Sequence, residues 1–204
     1  MAMKRICVFC GSHTGNDPAF ASIARESARA IVAAGYGIVY GGGGIGLMKI
    51  VADAALEAGG EVIGVIPHAL ARAKVAHRGL TQLHVVETMH ERKALMDDLS
   101  EAFVALPGGF GTMDEFCEVL TWRELRIHNK PIGLLNPFGY YDALLALFDS
   151  MVSHGFIGPH TRALFIDAAR IGDLLGGMFA EGTSEEAKRR ERRPGGGATS
   201  GPET

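Results

Sequence analysis

The chain has little of what a metal centre, a disulfide scaffold or a membrane span requires. Its cysteines number three in 204 residues, an odd count that leaves one thiol outside any set of internal disulfides. Cys7 and Cys10 form C-V-F-C, but no second such pair and no Cys/His cluster at ligand spacing accompanies them, so buried strand cysteines are expected and no metal is. Apolar runs are only strand-sized, and no charged start leads into a signal-like apolar stretch. Both absences argue against membrane spanning and export, and the expected location is cytoplasmic. A surplus of positive charge is also missing. The net charge is −3 and carries no basic face ahead of the C-terminal segment, which excludes nucleic acid as the expected partner and favours a small molecule.

What is present is apolar material, at 47% of residues, enough for the core of a single domain. That domain is expected over residues 1–181. Residues 182–204 combine K-R-R-E-R-R with P-G-G-G-A-T-S-G-P and carry almost nothing to bury, so they read as a disordered tail. Within the domain, strand-like runs end in glycine or proline and alternate with helical periodicity. The runs are Arg5 to Cys10, Gly37 to Tyr40, Glu61 to Ile66, Leu83 to Val86, Ala102 to Leu106 and Ile132 to Leu135. Phe20, Ile23, Ser27, Ile31 and Ala34 line one helical face, while Ile45, Met48, Val51 or Ala52, Ala55 and Ala58 line the next. This rhythm predicts an α/β fold with a doubly wound, mostly parallel sheet and helices on both faces, Rossmann-like, whose ligands sit beyond the carboxyl ends of the strands.

The densest chemistry lies at Pro107 to Glu115, P-G-G-F-G-T-M-D-E, between a strand and a helix. Glycines there let backbone N–H groups approach an anion, the helix start adds its positive dipole end, and Thr112 and Glu115 add a hydroxyl and a carboxylate. T-M-D-E is also the pattern of a capping box, in which Glu115 merely closes its own helix. Against that, Glu115 shares a helical stripe with Val119 and Trp122, which turns its carboxylate inward. In M-H-E-R-K-A-L-M, Arg92 shares an inward arc with Met89, Met96, Leu95 and Leu99. A buried guanidinium needs a carboxylate or an anionic ligand, so Arg92 either pairs structurally with Glu115 or meets a phosphate.

A second glycine loop, Gly41 to Gly46, reads G-G-G-G-I-G and opens a helix. It satisfies the dinucleotide pattern, but the following strand ends Val65, Ile66, Pro67 and lacks the acid that would take a ribose hydroxyl, so a tight packing turn competes with a phosphate loop. The first strand ends Cys10, Gly11, Ser12, opening a further small loop on the same edge. Ser12, Gly43, Gly44, Met89 and Gly108 therefore join the candidates for substrate binding.

Together G-G-G-G-I-G-L-M, M-H-E-R-K-A-L-M, L-P-G-G-F-G-T-M-D-E and T-W-R-E-L-R-I-H-N-K-P-I-G-L-L-N resemble the LONELY GUY family of cytokinin-activating phosphoribohydrolases, over about Arg5 to Arg170. The resemblance implies cofactor-free hydrolysis of the N-glycosidic bond of an N6-substituted adenosine 5′-monophosphate, or of AMP, to free base and ribose 5-phosphate. It implies Arg92 and Glu115 as the catalytic pair. Lys93, Gly109, Phe110, Gly111, Thr112, Met113, Asp114 and Thr121 match the family's nucleotide-binding positions, and a homodimer is expected. Two departures stand out. Lys74 falls near a position where many relatives carry a glutamate, and Met113-Asp114 replaces the frequent Leu-Glu.

Breaking a ribosyl C–N bond develops oxocarbenium charge at C1′, which a held carboxylate can stabilise while orienting water. Glu115 suits that role, with Arg92 holding the substrate in register; no residue is singled out as proton donor to the leaving base. The alternative is a nucleotide or molybdenum-cofactor carrier that binds without turnover. A lysine decarboxylase, the label such relatives often bear, lacks support, because nothing marks a Schiff-base lysine.

Overall fold

The computed structural model describes residues 3–72 and 75–180; the charged segment 182–204 and Lys74 lie outside the described residues. Among the described residues, seven strands form one wholly parallel sheet: β1 (Arg5–Phe9), β2 (Gly37–Tyr40), β3 (Val62–Pro67), β4 (Gln82–Val86), β5 (Ala102–Ala105), β6 (Ile132–Leu135) and β7 (Ile166–Ala168). Their spatial order is β4-β3-β2-β1-β5-β6-β7. The chain therefore winds outward from β1 to β4, returns to lay β5 on β1's other side, and winds outward again. That reversal opens a crevice between the ends of β1 and β5, where an open α/β sheet takes its ligand.

The crossovers are α1 (Ala19–Ala33), α2 (Gly46–Glu57), the short α3 (His68–Arg72), α4 (Met89–Asp98), α5 (Phe110–Glu124), α6 (Asp142–Ser153) and α7 (Pro159–Arg162), followed by a helix over residues 171–180. Strands β1, β2, β5 and β6 are buried almost throughout, as their continuous apolar runs require of a sheet covered on both faces. Alternate residues feed two cores. Ile6, Val8, Ile38, Tyr40, Ala102 and Val104 pack against α1, α2 and the last helix. Cys7, Phe9, Val39, Phe103 and Ala105 pack against Met96 of α4, Phe116 and Val119 of α5 and Phe148 of α6.

The expected helical faces are close but shifted. In α1 the buried residues are Ala24, Ser27, Ala28 and Ile31, with Phe20 and Ile23 at the margin. In α2 they are Leu47, Val51, Ala52, Ala54 and Ala55, because the helix begins at Gly46 and leaves Ile45 as its exposed N-cap. β7 is an element that sequence periodicity misses: three residues long and only half-buried, it offers no apolar run.

Candidate active site

Two glycine turns and one helix start meet at the β1/β5 crevice. The Gly11 N–H donates to the Pro107 carbonyl at 3.1 Å, and the Met48 N–H donates to the Gly11 carbonyl at 3.3 Å, so the loop after β1 is wedged between the loop after β5 and the start of α2. Side chains are excluded at the wedge. A Cβ on Gly46, whose φ is +59°, would overlap the Ser12 backbone, and one on Gly108 would overlap the Thr112 hydroxyl and approach Gly11 N.

Helix α5 starts at Phe110 with Gly109 as an extended N-cap that supplies no side-chain bond. The N–H groups of Phe110, Gly111 and Thr112 find no acceptor among the described residues, and the Thr112 side chain is buried beside them. Unpartnered backbone donors with a helix dipole behind them form an arrangement suited to an anion. The capping-box alternative for Thr112 and Glu115 is thereby excluded, since the helix begins before Thr112 and places Glu115 in its second turn. The box-like cap occurs elsewhere. Thr88 Oγ1 accepts from the Glu91 N–H at 3.1 Å, and Glu91 in turn accepts from the Glu87 N–H at 2.9 Å, which starts α4 and fixes the rotation that turns Arg92 inward.

Arg92 is buried. Its Nε donates to the Val65 carbonyl at 3.0 Å, and its Nη1 donates to Glu115 Oε1 at 2.7 Å. Their side chains are 9% and 11% exposed, so the pair is nearly dry. Burial pushes the Glu115 carboxyl above its ordinary value, and the Arg92 guanidinium offsets only part of that rise. The carboxylate is thus a stronger base than a solvated one, held in a fixed orientation.

A cleft of about 380 Å³ lies over this pair, lined by Cys10, Gly11, Ser12, His13, Met48, Leu70, Met89, Arg92, Gly109, Phe110, Gly111, Thr112, Asp114 and Glu115. It brings together most residues expected from sequence: Ser12, Met89, Arg92, Gly109, Phe110, Gly111, Thr112, Asp114 and Glu115. Gly108 borders a neighbouring hollow of about 230 Å³ that shares Gly11, Ser12, His13 and Gly109 with the cleft.

Five expected residues stand outside both hollows. Gly43 and Gly44 hold structure instead of facing the cleft: the Gly44 N–H donates to the Val75 carbonyl at 2.6 Å, and the Gly43 carbonyl accepts from the Tyr40 hydroxyl at 3.1 Å. Lys93 lies between Asp114, at 3.3 Å, and Glu118, at 3.0 Å. Burial lowers its pKa, but these two carboxylates outweigh that and hold its ammonium above the ordinary value. Met113 packs on the α5 core. Thr121 bonds the Cys117 carbonyl and sits in a separate groove between α5, α6 and α7.

Sequence reasoning placed Gly11 only in a loop on the same edge and missed His13, Met48, Leu70 and the Val65 carbonyl, which carried no local signal as site residues. Cys7 and Cys10 are buried free thiols whose pKa values burial pushes up. Among the described residues no group of three or more His, Cys, Asp or Glu side chains is placed to hold a metal ion, and no helix is long and apolar enough to cross a membrane.

Residues 48–178 match a family model described as possible lysine decarboxylase. An Oryza sativa subsp. japonica protein named probable cytokinin riboside 5′-monophosphate phosphoribohydrolase is 47% identical over 171 residues, 84% of this chain and 77% of its own. An Arabidopsis thaliana protein named cytokinin riboside 5′-monophosphate phosphoribohydrolase is 45% identical over 172 residues, 84% of this chain and 81% of its own. Among solved structures, the Moco carrier protein of Chlamydomonas reinhardtii superposes with a TM-score of 0.66 at 23% identity, covering 92% of this chain and 99% of its own. At that identity the likeness describes the fold alone.

Proposed function

The chain belongs to the family of cytokinin riboside 5′-monophosphate phosphoribohydrolases, and from that premise we propose that it hydrolyses the N-glycosidic bond of an N6-substituted adenosine 5′-monophosphate, releasing the free base and ribose 5-phosphate. The observation that carries the assignment is the buried Arg92–Glu115 pair at the wall of a cleft whose other wall is the unpartnered N-terminus of α5.

The 5′-phosphate docks on the N–H groups of Phe110, Gly111 and Thr112, which fixes the ribose and turns a bimolecular hydrolysis into a positioned one. As the C1′–N bond lengthens, positive charge grows at C1′, and the Glu115 carboxylate stabilises it while accepting a proton from the attacking water. Arg92 keeps that carboxylate aimed, with the Val65 carbonyl as its second anchor. The leaving base carries off the bond's electron pair and gains a proton from solvent, the water's oxygen ends on C1′, and Glu115 returns its proton to solvent. Asp114 and Phe110 sit at the cleft wall to contact the base or its N6-substituent. A protein confined to the cytoplasm, acting without cofactor and as a homodimer, completes the reading; exposed Leu125, Ile127, Leu147 and Phe156 offer apolar surface in support of self-association. The carrier alternative keeps only the shared fold.

Chromatographic assay of base release from isopentenyladenosine 5′-monophosphate and from AMP tests the proposal, with the nucleosides and triphosphates as controls. Base from the monophosphates alone supports it. Saturable nucleotide binding with no base released from any of them refutes it.

A further inference from the structure

The loop that presents the α5 donors is held from behind by two consecutive tyrosines. After β6, Asn136 to Gly139 make a tight turn in which Phe138, at φ 56°, and Gly139, at φ 70°, are both left-handed. Asn136 Oδ1 accepts from the Tyr141 N–H at 2.6 Å and its amide donates to Asp142 at 2.8 Å, fixing the turn's exit. That exit sends both rings back over the end of β5. The Tyr141 hydroxyl donates to the Leu106 carbonyl at 2.7 Å, and the Tyr140 hydroxyl donates to the Gly108 carbonyl at 2.8 Å, so the two bracket Pro107.

The second bond controls a direction. In a planar trans peptide the carbonyl and the following N–H point opposite ways, so a Gly108 carbonyl drawn toward Tyr140 turns the Gly109 N–H away from it. The lining residues place the two sides. Tyr140 and Gly108 border only the neighbouring hollow, whereas Gly109 borders both that hollow and the cleft over Arg92 and Glu115. Gly109 is thus the residue of this turn shared by the two hollows, and its N–H is the group that can face the cleft. The Tyr140 ring is itself braced edge-on by Phe20, at 5.6 Å between centroids, and by Tyr141, at 4.7 Å. Phe20 also packs under Gly15 of the loop after β1, where an added Cβ would stand 3.0 Å from the ring.

We propose that Tyr140 is a positioning residue for the substrate's 5′-phosphate: its hydroxyl pins the Gly108 carbonyl and so aims the Gly109 N–H, with the first N–H groups of α5, at the anion. This deepens the hydrolase reading and rests on it for the identity of the phosphate. Glycine supplies the freedom to bring the backbone close to an anion but cannot hold a peptide in one orientation, and the tyrosine supplies that hold.

Tyr140→Phe deletes the hydroxyl and keeps both ring contacts, so the fold is retained. Calorimetry with ribose 5-phosphate and, separately, adenine reads the effect without requiring turnover. Losing the orienting bond is expected to raise the Kd for ribose 5-phosphate about tenfold and leave adenine binding unchanged. In the hydrolysis assay KM for the monophosphate rises by about the same factor while kcat changes by less than about twofold. Unchanged ribose 5-phosphate affinity overturns the proposal, as does a wild-type protein that fails to bind ribose 5-phosphate. An equal loss of both ligands overturns it in favour of a general structural role. A variant that loses ribose 5-phosphate while the wild type releases no base upholds the positioning role and refutes the hydrolase; wild-type turnover with an unaffected variant does the reverse.

Discussion

Gly41 sits directly against Arg92: a Cβ built on this glycine would overlap Nη2 of the guanidinium. The end of β2 is therefore shaped to admit the arginine that α4 sends in. In Gly41→Ala the guanidinium must leave the Val65 carbonyl or Glu115, and the geometry of the pair is lost. Activity is expected to fall about a hundredfold in kcat/KM, with overpacking lowering stability by about 1–3 kcal/mol. Steady-state kinetics alongside denaturant unfolding separates the two effects, and unaltered kinetics would show that Arg92 has room to spare.

Glu115 is expected to give the reaction its pH dependence. Burial raises its carboxyl above the ordinary 4.5, with Arg92 offsetting part of the rise. Because the proposed working form is the carboxylate, kcat/KM is expected to climb with pH through an inflection above 4.5. Glu115→Gln removes that inflection and lowers kcat by about 10²–10⁴ while nucleotide binding persists. A rate–pH profile of both proteins decides the matter, since an inflection that survives in the glutamine variant belongs to another group.

The strand–helix rhythm and the P-G-G-F-G-T turn were legible because burial on both faces demands long apolar strands and because glycine, helix start and acid stand together in the chain. Inward-facing Arg92 and Glu115 were legible for the same reason: helical spacing fixes which face a residue occupies. Spacing does not fix where a helix begins. T-M-D-E at Thr112 and T-M-H-E at Thr88 look alike as caps, yet only the second is one, because Gly109 starts α5 a turn earlier. That Gly43 and Gly44 line neither hollow was not legible for a related reason. The Gly44 N–H is taken by Val75 and the Gly43 carbonyl by Tyr40, partners distant or unmarked in the sequence, and glycine's permissiveness is the same whether it serves an anion or a neighbouring segment. Tyr140 carried no local signal, since its partner Gly108 lies 32 residues away.

The chain beyond the α3 region is latched to α2 by His77. The Gly79 N–H donates to His77 Nδ1 at 3.0 Å, leaving Nε2 to donate to Asp53 at 2.8 Å, while Lys49 pairs with the same carboxylate. Burial pushes the Asp53 carboxyl up, but Lys49 and His77 outweigh it and hold it below its ordinary 3.8. A depressed folded pKa stabilises the protein above the unfolded value and stops doing so as pH falls through the folded one. Asp53→Asn is therefore expected to melt below wild type at neutral pH, with the gap closing below pH 3.8. Thermal midpoints across that range check it; a gap that stays constant means the charge on Asp53 contributes nothing to the latch.

Phe110 is the sharpest case of a cleft side chain that the fold does not use. It opens α5 and lines the cleft, yet the residue is 96% exposed, so folding gains almost nothing from its ring. Phe110→Ala is expected to change stability by less than about 0.5 kcal/mol. Loss of an aromatic face for the base or its N6-substituent is expected to raise KM for isopentenyladenosine 5′-monophosphate about tenfold, with kcat little changed because the phosphate donors and Glu115 are untouched. Comparing that substrate with AMP divides the effect further. A larger KM penalty for the isopentenyl compound assigns the ring to the N6-substituent, an equal penalty assigns it to the purine, and no penalty for either removes Phe110 from the binding surface.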